Sequence, residues 1–430
     1  MTLNYSCHIS CWVLSHATLI SPSPCDEEGR VRVNKVPDSK LKPAKVKSTM
    51  KLNFIGSLLI IAFTSWTFAY NALISEARAA ETSGSWKETW EKVTQAAKRE
   101  GELRLYCSED YVLLFAEFQK KYPEIRLVTV SARGAELVTR IMAERRAEKY
   151  VSDMVITGPS SLFTLYKAKA LDPIRSTLIL PEVADSSKWW KTGRYNYVDQ
   201  EGEYIFAFDG EVQPFYGFNT KLVKRGEIKS YWDFVDPKWK GKIVILDPTG
   251  SHLPAVKPAL VHLYATPELG GKFLRHLFSE MDIVPSRDTR QITDWLAVGK
   301  FALSMFTIPN RTGLEEAKEQ GLPVDWFSGQ DLKEGLPITT ASGNVVLMNS
   351  APHRNAAILA INWLLSREGQ MAYQKIVRGP DSLRIDIPKE DVPLSRRRME
   401  GVNYVVTDRA EWMEIQPILD IIKEAWKKKG

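Results

Sequence analysis

The segment spanning residues 102–123 constrains the chain most, because it carries two hydrophobic periods back to back. Leu103 and Leu105 alternate with Arg104, the period of a strand. Directly after them, Tyr111, Leu114, Phe115, Phe118 and Tyr122 recur at i, i+3, i+4, i+7 and i+11, the spacing of one helical face. Ser108 stands at an N-cap position, Glu109 and Asp110 fill a first turn where the dipole favours acids, and Pro123 blocks continuation. The segment reads strand, tight turn, helix. Residues 125–130 are a second β-rich run, Gly134 opens a helical pattern with Leu137, Val138, Ile141 and Met142, and residues 153–157 are a third strand. Such alternation gives right-handed βαβ units and a parallel sheet. Ligands bind beyond the carboxyl ends of these strands, so 107–110, 131–134 and 157–161 form one rim of a site.

At 430 residues the chain exceeds what one hydrophobic core serves, and two lobes are expected. Met50-Lys51 precedes a 17-residue apolar run from Phe54 to Tyr70, followed by Ala77-Arg-Ala79, with small residues where a signal peptidase reads. Residues 50–79 are therefore expected to be a secretory signal, with export to the periplasm and a mature chain from Ala80 or one residue later. An uncleaved anchor is the alternative, but the run contains Ser57, Thr64, Ser65 and Thr67 and falls short of a ~20-residue span. Residues 1–49, polar and without periodicity, read as a spurious upstream extension.

Residues 1–79 carry nine of the 58 basic and five of the 52 acidic residues, which leaves 49 against 47 and a net charge of +2. No long basic stripe remains, so a nucleic-acid partner is not expected. Arg396-Arg397-Arg398 and Lys427-Lys428-Lys429 read as solvated faces. Three cysteines leave with the extension, so Cys107, at the end of a strand, is expected to be a buried, unpaired thiol.

Further along, residues 86–99 form a polar amphipathic helix over the first sheet. Residues 204–208 and 213–218 are extended runs, which places the passage between lobes near 206–217. Residues 243–246 are an apolar strand that starts a second sheet, continued by a helix at 289–298 and a strand at 301–306. Residues 324–327 and 344–348 are strand-like, 355–365 an apolar helix, and Ile415, Ile418, Leu419, Ile422 and Trp426 mark a last amphipathic helix.

The strand loop Leu105-Tyr-Cys-Ser108 with Phe118 and Tyr122-Pro123, the crossover Tyr216-Gly-Phe-Asn219-Thr220, the run from Trp232 to Gly241, Gly299-Lys-Phe-Ala302 and Trp363-Leu-Leu-Ser-Arg-Glu-Gly-Gln370 together resemble the periplasmic solute-binding proteins of ABC importers, in the ferric-iron-binding branch. The resemblance implies an α/β, two-lobed periplasmic-binding-protein-like (type II) fold. Each lobe would be a mixed, mostly parallel sheet flanked by helices, with a ligand cleft between lobes closed by hinge motion. Residues 80–208 with 326–380 are expected to form the first lobe, and 209–325 with 381–430 the second. It also implies a membrane permease as partner, a monomer, no cofactor and no enzymatic activity. Iron-binding relatives place adjacent tyrosines just after the strand that ends here at Phe306, where this chain has Thr307-Ile-Pro-Asn310-Arg311-Thr312. Tyr195 and Tyr197 read as packing residues, and no metal ligand is assigned.

The second rim takes in 247–254, 286–291 and 307–311. Its Thr249, Ser251, His252, Arg287, Arg290, Asn310 and Arg311, with Ser108, Glu109, Arg133, Ser160 and Tyr216, make a donor-rich candidate site for a small anionic solute such as a carboxylate or phosphate. Ferric iron is the alternative ligand. An exported hydrolase is a second alternative, although no Gly-x-Ser-x-Gly, His-Glu-x-x-His, Walker or Gly-x-Gly-x-x-Gly motif occurs. A ligand sensor serving a membrane receptor is the third.

Overall fold

A computed structural model describes residues 85–427 apart from 214–215, 308–312 and 379–380. The expectations for the extension, the signal segment, Asn310 and Arg311 lie outside the described residues.

The helix α1 (residues 85–100) leads into β1 (Glu102–Cys107), α2 (Asp110–Lys121), β2 (Arg126–Ser131), α3 (Gly134–Arg146), β3 (Met154–Ile156), α4 (Pro159–Lys167), β4 (Leu171–Asp172) and α5 (Pro181–Ala184). The strands β5 (Phe206–Ala207), β6 (Glu211–Val212) and β7 (Gly217–Asn219) carry the chain across to β8 (Ile243–Leu246), α6 (Leu253–Ala265), α7 (Gly270–Glu280), β9 (Val284–Ser286), α8 (Thr289–Ala297) and β10 (Leu303–Met305). Then come α9 (Leu314–Glu319), β11 (Val324–Trp326), β12 (Leu336–Thr339), β13 (Asn344–Met348), α10 (Arg354–Leu365), α11 (Arg367–Tyr373), β14 (Tyr404–Val406) and α12 (Gln416–Lys427).

Among the described residues the strands fall into three sheets. The first runs β2-β1-β3-β13-β4, with β5 also on β13; β1, β2 and β3 are parallel and β13 antiparallel. The second runs β11-β7-β10-β8-β9, with β8, β9 and β10 parallel. The third, β14-β12-β6, joins segments far apart in sequence.

Two hydrophobic cores follow from these sheets. The first gathers Leu103, Leu105, Phe115, Phe118, Val155 and Val346 with α10, in which residues 356–365 are all buried. A helix buried on every side needs its polar members satisfied. Asn362 is, since its Oδ1 accepts from the Ile179 and Leu180 amides at 2.8 and 3.1 Å and its Nδ2 donates to Thr177 O at 2.8 Å. The second core gathers Phe218, Tyr231, Ile245, Leu260, Phe273, Leu303, Ile418 and Ile422. Here the run from Trp232 to Gly241 folds as short 3-10 turns. Ser230 Oγ accepts from Trp232 N, Asp233 accepts back from Ser230 N, Asp236 caps Lys238 N before Pro237, and Gly241 takes a left-handed φ of 72° into β8.

Core membership departs from the sequence reading in two places. Leu332, Leu336 and Ile338, expected in the first lobe, lie in the second core, because β12 pairs with β6 and β14. Leu383, expected in the second, lies in the first. A period-two pattern marks a strand but not the sheet that receives it. Cys107 is buried in the first core, where burial pushes its thiol up to about 12.

The closest backbone approach in the third sheet comes just before β12. Gly335 has φ of 76°, and a Cβ there would collide with the Asn403 carbonyl oxygen, whose chain pairs Leu336. Gly335→Ala is expected to cost about 2–4 kcal/mol, since neither the left-handed backbone nor the facing carbonyl can yield cheaply. A lowered urea midpoint in equilibrium unfolding checks this, and an unchanged midpoint would refute it.

Candidate functional site

Strand register builds the first rim. Cys107 stands opposite both Ser131 and Ile156, so the residues after β1, β2 and β3 emerge level with one another. Ser108 does not cap α2 with its side chain: its carbonyl accepts from Tyr111 N at 3.1 Å, while its hydroxyl lies 3.4 Å from Thr157 Oγ1. Glu109 is exposed at the helix start. Gly134, the first residue of α3, is wedged against hydroxyls, since a Cβ on it would lie 2.5 Å from Ser161 Oγ and 2.7 Å from Thr157 Oγ1. Ser161 is therefore the α4 residue that joins the rim, whereas Ser160 is exposed and offers its carbonyl to Thr164. The sequence signal for Ser161 was its i, i+4 spacing to the buried Leu165, which puts both on one helical face. Thr157, 2% exposed, was inside the expected loop but not singled out. Arg133 is exposed and makes no ion pair among the described residues.

The rim's electrostatics come from backbone. Arg133 precedes α3 and Gly158 precedes α4 in extended conformation, and neither helix start receives a side-chain cap. In the first turns Glu136 N donates to Arg133 O at 2.9 Å, Ser161 N donates to Gly158 O at 3.2 Å and Pro159 has no N–H, which leaves the Gly134, Ala135 and Ser160 amides to carry the positive ends of the helix dipoles. Beneath them Asn344 is fully buried; its Nδ2 donates to Thr157 O at 3.3 Å, while its Oδ1 has no partner.

The second rim is neutralised from within. Asp247, just past β8, accepts from Thr249 N at 2.9 Å, Thr249 Oγ1 at 2.6 Å and Arg287 Nε at 2.8 Å. Although burial opposes it, the Thr249 and Arg287 donors hold its carboxyl below the usual range. Arg287 thus gives its Nε to Asp247 while its side chain stays 75% exposed, leaving the two Nη groups available. At the start of α8, Asp288 caps the Arg290 and Gln291 amides at 2.9 and 3.1 Å, so an internal carboxylate already fills that helix terminus. The Arg290 side chain is exposed and forms no ion pair among the described residues. His252 is partly buried in the turn before α6, and Ser251 belongs to the same turn.

Tyr216 belongs to neither rim. It is fully buried in the second core, edge-on to Tyr231 at 4.8 Å and tilted on Phe234 at 5.7 Å. Its ring packs among these aromatics, while its hydroxyl makes no hydrogen bond among the described residues. Tyr195 packs on Trp190 at 5.1 Å, and Tyr197 is edge-on to Phe206 at 5.2 Å with the Arg175 guanidinium 4.0 Å from its ring. Burial pushes the Tyr197 hydroxyl up to about 12. Among the described residues no three His, Cys, Asp or Glu side chains are grouped to hold a metal ion.

Where the chain passes between cores, the structure overturns the reading of residues 396–398 as a solvated face. The Arg398 side chain is 6% exposed; its Nη1 donates to Gly210 O at 2.8 Å and Asp381 O at 2.9 Å, and its Nη2 to Ser382 O at 2.7 Å. Asp381 accepts from Arg398 N at 2.9 Å and pairs with Lys389 at 2.8 Å, while Arg396 pairs with Glu211 at 3.3 Å. Beside them Asp209 is 1% exposed, with neither carboxylate oxygen in a hydrogen bond. It packs on Gly343 next to the Tyr373 hydroxyl.

Two cores linked by crossing strands, each sheet presenting aligned strand ends, define the class of two-lobed solute-binding proteins. Residues 108–371, more than half of the chain, match the family of bacterial extracellular solute-binding proteins, and the chain belongs to that family. Its members bind solutes and are not enzymes. The Trichodesmium protein IdiA (FutA), solved in complex with iron and citrate ligands, is 18% identical with a TM-score of 0.55, over 77% of this chain and 99% of that one. An ABC transporter structure from Clostridium perfringens is 15% identical with a TM-score of 0.55, over 76% and 98%. Apo FutA2 from Synechocystis is 16% identical with a TM-score of 0.52, over 77% and 99%. At these identities the likeness shows the fold alone. No curated protein matches the sequence.

Burial, reinforced by Glu211 and Asp381, holds the Asp209 carboxyl well above the usual carboxylate range. The folded chain therefore binds that proton more tightly than the unfolded one. The resulting stabilisation is fully present below the unfolded carboxyl's value of about 3.9 and is lost as pH rises through the raised folded value. Asp209→Asn is expected to raise stability at pH 8 by about 1 kcal/mol or more, with the gain shrinking toward pH 4. Calorimetric melts of both proteins across that range check it; a gain independent of pH would refute it.

Proposed function

We propose that this protein captures a small anionic solute outside the cytoplasm and delivers it to an ABC importer, and that the anion is held chiefly by the first rim. The observation that carries this is the convergence of Ser108, Thr157, Ser161 and Gly134 at two uncapped helix starts. Hydroxyls and free amides suit an oxyanion, and the exposed Arg133 adds a charge. The second rim would close over the solute with Thr249, Arg287 and Arg290, its Asp247 limiting how much positive charge it offers.

Ferric iron is the other ligand to weigh, because the Trichodesmium protein of similar fold carries iron and citrate ligands. Hard cations need anionic oxygens. Residues 307–312 carry no tyrosine, and Tyr195, Tyr197 and Tyr216 are occupied in packing. A citrate-bound or otherwise anionic form of a solute fits the first rim better than the bare cation.

Calorimetry with citrate, ferric citrate, sugar phosphates and weakly chelated ferric iron tests the reading. Arg133→Ala is expected to weaken the best anion by roughly 10- to 100-fold and the pair Thr157→Val with Ser161→Ala by about 10-fold, from hydrogen bonds worth about 0.5–3 kcal/mol. Tight binding of weakly chelated iron with a tyrosinate colour, and no anion binding, would overturn it.

A further inference from the structure

A cavity of about 520 Å³ lies between α12 and the loop that leads into α6, apart from the hydroxyl rim. Its floor is Leu253, Leu419, Ile422 and Trp426, and Lys423 and Lys427 line it from the same helix. The α12 members fall at i, i+3, i+4, i+7 and i+8, so one stripe of the helix supplies both an apolar bed and two cations. Opposite stand Pro248, Thr249 and Gly250, and a Cβ on Gly250 would meet nothing within 4 Å, so this wall is open. Thr249 is bound to Asp247, and Gln416 donates to Asp420 at 2.8 Å, so neither polar residue draws on the cavity.

The volume far exceeds a packing void and falls within the range of small-molecule sites, about 300–1,000 Å³. The lining is mostly apolar, yet its charged members are of one sign. Lys423 and Lys427 are exposed and form no ion pair among the described residues. Trp426 is anchored edge-on to Phe278 at 5.0 Å, which fixes one wall. A neutral apolar guest would leave the two lysines unmatched, and a cation would be repelled.

We propose that this groove is a second ligand site, for an amphipathic monoanion: an alkyl or aryl body lies along Leu253, Leu419, Ile422 and Trp426, and its carboxylate or sulfonate meets Lys423 and Lys427. The site shares residues 248–253 with the second rim but uses none of the first-rim hydroxyls, and the Thr249 hydroxyl is held by Asp247, so probe displacement by octanoate reads it separately from binding of the solute proposed above.

The test is displacement of the fluorescent probe anilinonaphthalene sulfonate from the purified protein by octanoate below its micellar concentration. Octanoate is expected to displace the probe, acetate not to because it lacks the body, and octyltrimethylammonium not to because its charge is wrong. The double variant Lys423→Glu, Lys427→Glu changes only exposed side chains and is expected to weaken octanoate at least 10-fold; Leu419→Arg, which fills the bed, is expected to abolish displacement. Circular dichroism melts confirm that each variant is folded. Equal displacement by octyltrimethylammonium, or octanoate binding within twofold of wild type in the charge-reversed variant, would overturn the assignment.

Discussion

Arg398 is the contact on which the rest of the architecture depends. Its guanidinium, buried between the two cores, ties the carbonyls of Gly210, Asp381 and Ser382, one from the first crossing and two from the returning strap. Removing one partner of such a buried charge typically costs about 3–5 kcal/mol, because the other is left uncompensated. Apolar surface holds each lobe together, whereas the passage between them is held by directional hydrogen bonds.

Asp209 gives the same passage a different character. A carboxylate enclosed beside Tyr373 and Gly343, with Asp381 and Glu211 near, is tolerated because its neutral form removes the cost of burying charge. Lys389 and Arg398 meanwhile share Asp381, so the cluster carries more structure than net charge.

The two rims divide the recognition chemistry unequally. Uncapped starts of α3 and α4 present free amides beside Thr157 and Ser161, whereas the second rim spends its carboxylates Asp247 and Asp288 on its own arginine and amides. On the proposed reading, an anion at the first rim would meet backbone donors, which cost little reorganisation, together with the exposed Arg133.

The periodicities of residues 102–157 were enough to specify three parallel strands and their helices, because alternation and the 3.6-residue stripe are local properties of the chain. The caps at Ser230, Asp233 and Asp236 are completed by residues within a few positions, whereas the Gly241 amide reaches across to Met281 O and Ser230 Oγ donates to Glu334, contacts that no local pattern records. The level ends of β1, β2 and β3 at Cys107, Ser131 and Ile156 were legible too, from the lengths of the runs. The tertiary structure alone decided which sheet received residues 336–339, that Ser161 and not Ser160 faces Gly134, that Tyr216 enters the second core, that Arg287 is taken by Asp247, and that Arg398 is interior. In each case the outcome depends on a partner in another element or on which face a side chain presents once packed. Local pattern records only that a residue is polar, aromatic or charged; burial and pairing are properties of the neighbours that folding brings to it.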